Sequence, residues 1–270
     1  MAIEDMENKI VNADCLDVLK QMPDNCVDLV LTSPPYDNLR NYNNTLDWSF
    51  EIFQEIAKEL VRVLKFGGCI VWIVADATID GSETGTSFRQ ALYFKDLGLN
   101  INDTMIWSKP QFTSVGALKK RYAQTFEYMF VFSKGINKSF NPLKDRKTLS
   151  RRKDYHGKIR QKDGSTKPMS NKGKQYGDFG IRYNVWNLPP EMSNKKRMHP
   201  AQFPEKLAHD HIVSWSNEND LVLDCFSGSG TTAIACSETK RRFICIEKVK
   251  DYYEMSLRRL EEYNKQLKLF

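Results

Sequence analysis

Within Thr32-Ser33-Pro34-Pro35-Tyr36, which directly follows the apolar run 27–31, the last four residues place a hydroxyl, backbone carbonyls and an aromatic ring together. That run reads as a buried strand. The prolines end it, because proline cannot continue a hydrogen-bond ladder and also restrains the residue before it. The resulting loop is stiff and lies at a strand's C-terminal edge, where open α/β sheets bind ligands. It could accept hydrogen bonds from a polar group and stack on a planar one. As a bare tetrapeptide it reads equally well as a turn.

A second constellation follows far downstream. Leu221-Val222-Leu223-Asp224 reads as a strand, Cys225-Phe226-Ser227-Gly228-Ser229-Gly230 as a glycine-rich turn, and Thr231-Thr232 as the start of a helix. Gly228 and Gly230 allow close backbone approach to a ligand, and Thr231 or Thr232 is expected to cap the helix. The turn lacks the third glycine of a dinucleotide fingerprint, and no G-K-[ST] follows to make a phosphate loop. Glu247 ends the next strand, 17 residues after Gly230. Rossmann-like sites use a carboxylate there to bond ribose hydroxyls. A glycine turn with such a carboxylate but no full pyrophosphate cradle fits a nucleoside cofactor without phosphates, of which S-adenosylmethionine is the obvious one. Taken alone, this segment also reads as an ordinary glycine-rich turn.

The elements that must position these residues alternate. Strands are predicted at 9–12, 27–33, 69–75, 102–108, 127–133, 220–224 and 242–247, with helices at 15–22, 87–97, 204–214, 231–238 and 249–268. Trp48, Phe50, Ile52, Phe53, Ile56, Leu60, Val63 and Leu64 have the spacing of an amphipathic helix, which Phe66-Gly67-Gly68 is expected to close. Alternating strands and helices predict a mostly parallel sheet with helices on both faces. Residues 134–182 break the pattern. Between Lys134 and Lys174 there are 14 basic and 3 acidic residues, whereas the rest of the chain carries 26 basic and 31 acidic ones. A mildly acidic body bearing one basic segment points to a polyanion-facing insertion, or to a solvated lysine-rich loop.

A chain of 270 residues holds one large α/β domain with an insertion or two modest domains. No apolar stretch is long enough to span a bilayer, and the acidic start Met1-Ala2-Ile3-Glu4-Asp5-Met6 lacks a signal-peptide pattern. The six cysteines form no C-x-x-C pair and lie mostly in apolar runs, as expected of reduced core residues in a cytoplasmic protein. None of the four histidines has an H-E-x-x-H spacing, so no metal site is expected.

Over nearly its whole length the chain resembles the beta class of amino-methylating DNA methyltransferases, in which the catalytic motif precedes the cofactor motif. Ser33-Pro34-Pro35-Tyr36 is similar to the family's [D/N/S]-P-P-[Y/F], and residues 224–232 to its D-x-F-x-G-S-G-T-T. Arg62-Val63-Leu64-Lys65-Phe66-Gly67-Gly68 resembles R-x-L-K-P-G-G, with Phe66 where proline is usual. His199-Pro200-Ala201-Gln202-Phe203-Pro204-Glu205 resembles H-P-A-x-F-P-E. Residues 126–133 resemble the strand before the target-recognition region, with Phe126 in place of the commoner histidine.

The resemblance implies an α/β, Rossmann-like, S-adenosylmethionine-dependent methyltransferase with a mostly parallel seven-stranded sheet and helices on both faces. Residues 1–133 and 184–270 would form the catalytic and cofactor domain, and 134–183 a basic target-recognition insertion. Ser33 Oγ and the Pro34 carbonyl would hold the protons of an exocyclic amine, with Pro35 stiffening the loop and Tyr36 stacked on a base flipped out of double-stranded DNA. Asp14, Phe226, Gly228, Gly230, Thr231 and Glu247 would bind the cofactor, Asp14 against its adenine, with His199, Gln202 and Phe203 at its methionine end. Asp224 would either face the cofactor's amino group or brace the turn. Arg146, Arg151, Arg152, Lys153 and Arg160 are the DNA-contacting candidates, and Tyr155 or Tyr183 would wedge at the flipped position or simply pack.

The absence of a Pro-Cys dipeptide argues against methylation at carbon 5 of cytosine, which needs a cysteine nucleophile. Serine before Pro-Pro resembles cytosine-N4 enzymes, with adenine-N6 as the alternative. Enzymes of RNA or protein amides usually carry Asn before Pro-Pro and place the cofactor motif first. The intact loop and cofactor set argue against a binding protein without catalysis, and the missing third glycine against an NAD enzyme. Family analogy adds a homodimer and a cognate restriction endonuclease as partners, and no membrane.

Overall fold

The computed structural model describes residues 3–36, 48–110, 120–148, 157–168, 177–190 and 203–267. It has two compact units, Met1–Asn141 with Asn184–Phe270, and Pro142–Tyr183. The larger unit is built on a sheet whose strands run in the order Lys9–Asn12, Arg242–Glu247, Leu221–Asp224, Val27–Thr32, Leu64–Val74, Phe126–Ser133, Asn100–Ser108, Val185–Asn187. Neighbours are parallel except around Phe126–Ser133, which is antiparallel to both of its partners. The sheet therefore has eight strands where seven were expected. The eighth, Val185–Asn187, pairs with Ile106–Ser108; at three residues with only Trp186 buried, it is too short for an alternation to reveal. Among the described residues no helix is long and apolar enough to cross a membrane.

Strand order fixes where a ligand can sit. From Val27–Thr32 the chain goes on to Leu64–Val74 on one side, and from Leu221–Asp224 to Arg242–Glu247 on the other. The strand order thus reverses between these two adjacent parallel strands, which makes the gap beyond their C-terminal ends a topological switch point.

Period-two burial gives each face of the sheet its own helices. Ile70, Trp72 and Val74 face Phe53, Ile56 and Leu60 of the helix Phe50–Val63 and Phe94 of the helix Thr86–Asp96 in one cluster. Phe53, Trp72 and Phe94 meet pairwise at 5.2–5.7 Å, and Trp72 Nε1 donates to Gln90 Oε1. Truncating any one of these rings would cost about 3–5 kcal/mol. Met129 lies on the opposite face, with its sulfur 3.1 Å from His211 Nε2 of the helix Glu205–Trp215.

The glycine pair 67–68 does not cap the preceding helix. The helix ends at Val63 with its C-cap Leu64 already extended, and residues 65–68 bulge out of the strand, so that Val27 pairs with Leu64 but Leu29 with Cys69. A Cβ on Gly68 would lie 2.7 Å from the Asp28 carbonyl, so the bulge closes only with glycine there. Lys65 donates to both carboxylate oxygens of Asp28 across the bulge. Residues 134–141 belong with the larger unit, so the unit boundary falls at Pro142. Lys134 Nζ donates to the Val61 and Leu64 carbonyls and Asn141 to those of Val213 and Ser216.

Arg62 latches two helices together. Its guanidinium donates to the Leu19 and Met22 carbonyls at the end of the helix Cys15–Gln21 and to Asp24 and Glu59. Orphan helix-end carbonyls need such donors. Arg62→Ala is expected to lower stability by about 2–3 kcal/mol, read as a fall in denaturant midpoint with unchanged slope, and Lys58→Ala, which loses an exposed ion pair with Glu55, by under about 0.5 kcal/mol.

Candidate active site

The two chemistry-bearing loops leave neighbouring strands and are tied together by one carboxylate. Asp224 Oδ1 accepts from Thr32 Oγ1 at 2.7 Å and from the Phe226 amide at 3.1 Å, while Oδ2 accepts from Thr232 Oγ1 at 2.6 Å. The side chain is 1% exposed. Burial pushes its pKa up, against the pull of the three hydrogen bonds. Of the two roles open to Asp224, the geometry gives it the bracing one. Thr32 is buried at the strand end, so the brace acts directly on the residue before Ser33.

The glycine turn is built differently from expectation. Gly230 is itself the N-cap of the helix Thr231–Glu238, with φ of 79° and no side-chain capping bond. Neither threonine caps: Thr232 is bonded to Asp224, and Thr231 receives Arg259. Gly230 also lies against the last helix, where an added Cβ would come 2.8 Å from Ser256 Cβ. Its positive φ and this close packing explain the glycine without any ligand.

Beyond the strand ends lies a cavity of about 320 Å³, lined by Asp14, Ser33, Pro35, Phe203, Phe226, Gly228, Thr231 and Glu247 among others. Six of the ten cofactor candidates thus share one wall system with two residues of the Pro-Pro loop. Asp224 and Gly230 stand behind it, and His199 and Gln202 lie outside the described residues. The Glu247 carboxylate accepts from the Gly228 amide and the Val249 amide, each at 2.8 Å. Asp14 caps the helix Cys15–Gln21 through the Leu16 amide and pairs with Lys248 at 3.0 Å. Phe226 meets Trp48 edge-on at 5.5 Å. Trp48, Ser227, Lys248 and Tyr252 also line the cavity and were not singled out from sequence. Trp48 read only as a helix-face residue, and nothing in local spacing marked the other three.

The tetrapeptide Ser33-Pro34-Pro35-Tyr36 is wired inward. Ser33 Oγ lies 3.0 Å from Tyr36 Oη, which donates to Glu127 Oε2 at 2.7 Å, and Glu127 Oε1 is ion-paired with Lys109. The Tyr36 ring is 7% exposed and is not among the cavity walls, whereas Ser33 and Pro35 are.

In the smaller unit the described residues form two short ribbons, Arg146–Lys147 with Phe179–Gly180 and Lys158–Arg160 with Thr166–Pro168. Arg160 lies on an exposed strand. Arg146 donates to the Ile181 carbonyl and stacks on Tyr183 at 4.4 Å. That leaves Tyr183 66% exposed yet held by its partner. Arg151, Arg152, Lys153 and Tyr155 lie outside the described residues.

Comparison with known proteins bears on the same span. The DNA methylase family (N6_N4_Mtase) matches residues 27–258. The orphan methyltransferase M.BamHII of Bacillus amyloliquefaciens is 49% identical over 244 residues, covering 88% of this chain and 89% of its own. The DNA adenine methyltransferase YhdJ of Escherichia coli (strain K12) is 30% identical over 266 residues, covering 93% and 82%. Among solved structures, the cytosine-N4-specific PvuII DNA methyltransferase superposes with a TM-score of 0.70 at 21% identity over 95% of this chain and 90% of its own. The family's span takes in the strands on both sides of the switch point and the loops that Asp224 ties together, and the chain belongs to the DNA methylases of the N6/N4 amino-methylating family.

Proposed function

We propose that this DNA methylase uses S-adenosylmethionine to methylate the exocyclic amine of a base flipped out of double-stranded DNA, with N4 of cytosine as the target. The observation that carries the reading is the single cavity in which Ser33 and Pro35 face Asp14, Phe226, Gly228 and Glu247. Its size lies at the small end of small-molecule sites.

The lining suits this cofactor. Ser227 Oγ is buried without a hydrogen-bond partner among the described residues and lines the cavity, so a ligand hydroxyl or amine would satisfy it. Asp14 and Glu247 outweigh Lys248, a balance that disfavours phosphates and favours a cationic ligand. S-adenosylmethionine, when bound, supplies an electrophilic methyl on a positively charged sulfur. Glu247 keeps lone pairs for ribose hydroxyls beyond those taken by the Gly228 and Val249 amides, and Phe226 gives an apolar wall. Ser33 Oγ and the Pro34 carbonyl accept hydrogen bonds from the target amine and favour a pyramidal nitrogen, which is positioning and electrostatics rather than covalent catalysis. Cys225 also lines the cavity, but burial pushes its thiol up, so it is poorly suited to attack a ring carbon.

The basic smaller unit, with 13 basic and 4 acidic residues between Pro142 and Tyr183, would neutralise backbone phosphates and read base edges, making binding steeply salt dependent. Serine before Pro-Pro supports cytosine, as does the cytosine-N4 specificity in the PvuII enzyme's name. Adenine N6 is the second reading, favoured by the name of YhdJ. The orphan status in M.BamHII's name supports action without an endonuclease, rather than the paired system that family analogy offers.

Incubation with labelled S-adenosylmethionine and unmethylated plasmid DNA, followed by digestion to nucleosides, is expected to yield N4-methylcytosine. Label found only in N6-methyladenine would overturn the base and leave the cofactor standing; no labelled nucleoside at all would overturn the activity.

Cofactor binding should depend on pH through Glu247. Burial holds its carboxyl above the ordinary value of 4.5, and repulsion from Asp224 adds to this, while the backbone donors pull it down. Ribose hydroxyls need the ionised form as acceptor. Affinity is therefore full above the raised pKa and falls as pH drops through it, starting at a higher pH than an ordinary glutamate would give. Calorimetric titration with S-adenosylmethionine should show this fall, and Glu247→Gln should weaken binding at neutral pH by about tenfold or more and remove most of the acid dependence.

A further inference from the structure

Ser33 must accept a hydrogen bond from the target amine, yet a serine hydroxyl can donate or accept. Nothing in the Pro-Pro loop itself fixes which. The structure does so from behind. A carboxylate that is ion-paired with Lys109 can only accept, so the single phenolic proton of Tyr36 is committed to Glu127 Oε2, at 2.7 Å. Tyr36 Oη is then an acceptor towards Ser33 Oγ, 3.0 Å away. The Ser33 proton must point at Tyr36, and the lone pairs of Ser33 are left for the cavity.

We propose that Glu127 is a positioning residue which, through Tyr36, holds Ser33 in the hydrogen-bond-accepting state that amine methylation requires. The inference rests on the function proposed above and deepens it. Glu127 touches no substrate. It lies on the antiparallel strand Phe126–Ser133, 91 residues from Tyr36, and its Lys109 partner comes from just beyond the strand Asn100–Ser108. The two side chains are 5% and 12% exposed, so water competes little with the chain of bonds. Lys109 is also held over the Trp107 ring at 4.4 Å, which keeps its charge on Glu127. The pair therefore pre-sets the polarity of a hydroxyl two bonds away, where free rotation would otherwise divide Ser33 between useful and useless orientations.

Glu127→Gln tests the proposal, because an amide can donate to Tyr36 and reverse the chain. With labelled S-adenosylmethionine and plasmid DNA, the single-turnover rate should fall about 10- to 100-fold, short of the roughly 10²–10³ lost with a direct transition-state contact. The cofactor's dissociation constant and the DNA concentration for half-maximal rate should stay within about twofold of wild type, since neither interaction involves Glu127.

A double-mutant cycle separates positioning from a general structural loss. In a Tyr36→Phe background, where the phenolic oxygen is gone, Glu127→Gln should change the rate less than about twofold. Multiplicative losses in the double variant, or an unchanged rate in Glu127→Gln alone, would overturn the proposal. Should the stranded Lys109 prevent folding, the same cycle is run with Lys109→Met and Glu127→Gln together, and the same outcomes decide. Failure of the wild-type protein to methylate any DNA would count against the proposed function instead, which keeps the two claims separable.

Discussion

One buried carboxylate holds the two halves of this site in register. Asp224 sits at the end of a central strand with hydrogen bonds to Thr32, Thr232 and the Phe226 amide, and each bond reaches a different part of the machinery. Thr32 precedes the Ser33-Pro34-Pro35-Tyr36 loop, Phe226 begins the glycine turn, and Thr232 lies in the first turn of the following helix. A carboxylate buried this deeply is costly unless its lone pairs are satisfied. That cost makes the arrangement specific: moving either loop would strand the charge. The switch point of the sheet puts the two loops side by side, and Asp224 sets their spacing.

Electrostatics divides the labour between the two units. The cavity carries two carboxylates against one lysine, while the segment around the smaller unit is strongly basic. An acidic pocket suits a cofactor bearing positive charge, and a basic segment suits a polyanionic substrate. Had these charges been mixed, phosphates would compete for the cavity. Burial pushes up the thiol of Cys225 in the cavity wall and that of Cys245 behind it, and Cys69, deeper in the sheet, to about 12. The Pro-Pro loop, which borders the cavity through Ser33 and Pro35, is backed by the buried Tyr36–Glu127–Lys109 chain.

The legible parts of this architecture were those written in local pattern. Apolar runs mark the seven longer strands, and the glycine turn with Glu247 marks the end of the sheet where the cavity lies. Contacts between distant segments were not legible. The Asp224–Thr32 bond joins residues 192 apart and Tyr36–Glu127 joins residues 91 apart, and no spacing rule marks either pair. Gly67 and Gly68 were read as a helix stop from their position after an amphipathic run. They serve a bulge instead, because the strand begins at Leu64 without an intervening turn. Gly230 was read as a ligand-facing glycine, whereas its close approach is to Ser256 in the last helix. Val185–Asn187 leaves no mark in the sequence because an edge strand of three residues carries no alternation.

Thr32→Val tests most directly whether the Asp224 tie aligns the amine and cofactor sites. Valine keeps the β-branched shape that the strand needs and removes the hydroxyl that donates to Asp224 at 2.7 Å and accepts a weak bond from the Cys225 thiol. In single-turnover methylation of plasmid DNA, the tie predicts a loss of about tenfold or more in rate with a modest loss of cofactor affinity, in a protein destabilised by only about 1–2 kcal/mol. A variant that loses that stability yet methylates DNA and binds S-adenosylmethionine as the wild type does would contradict it.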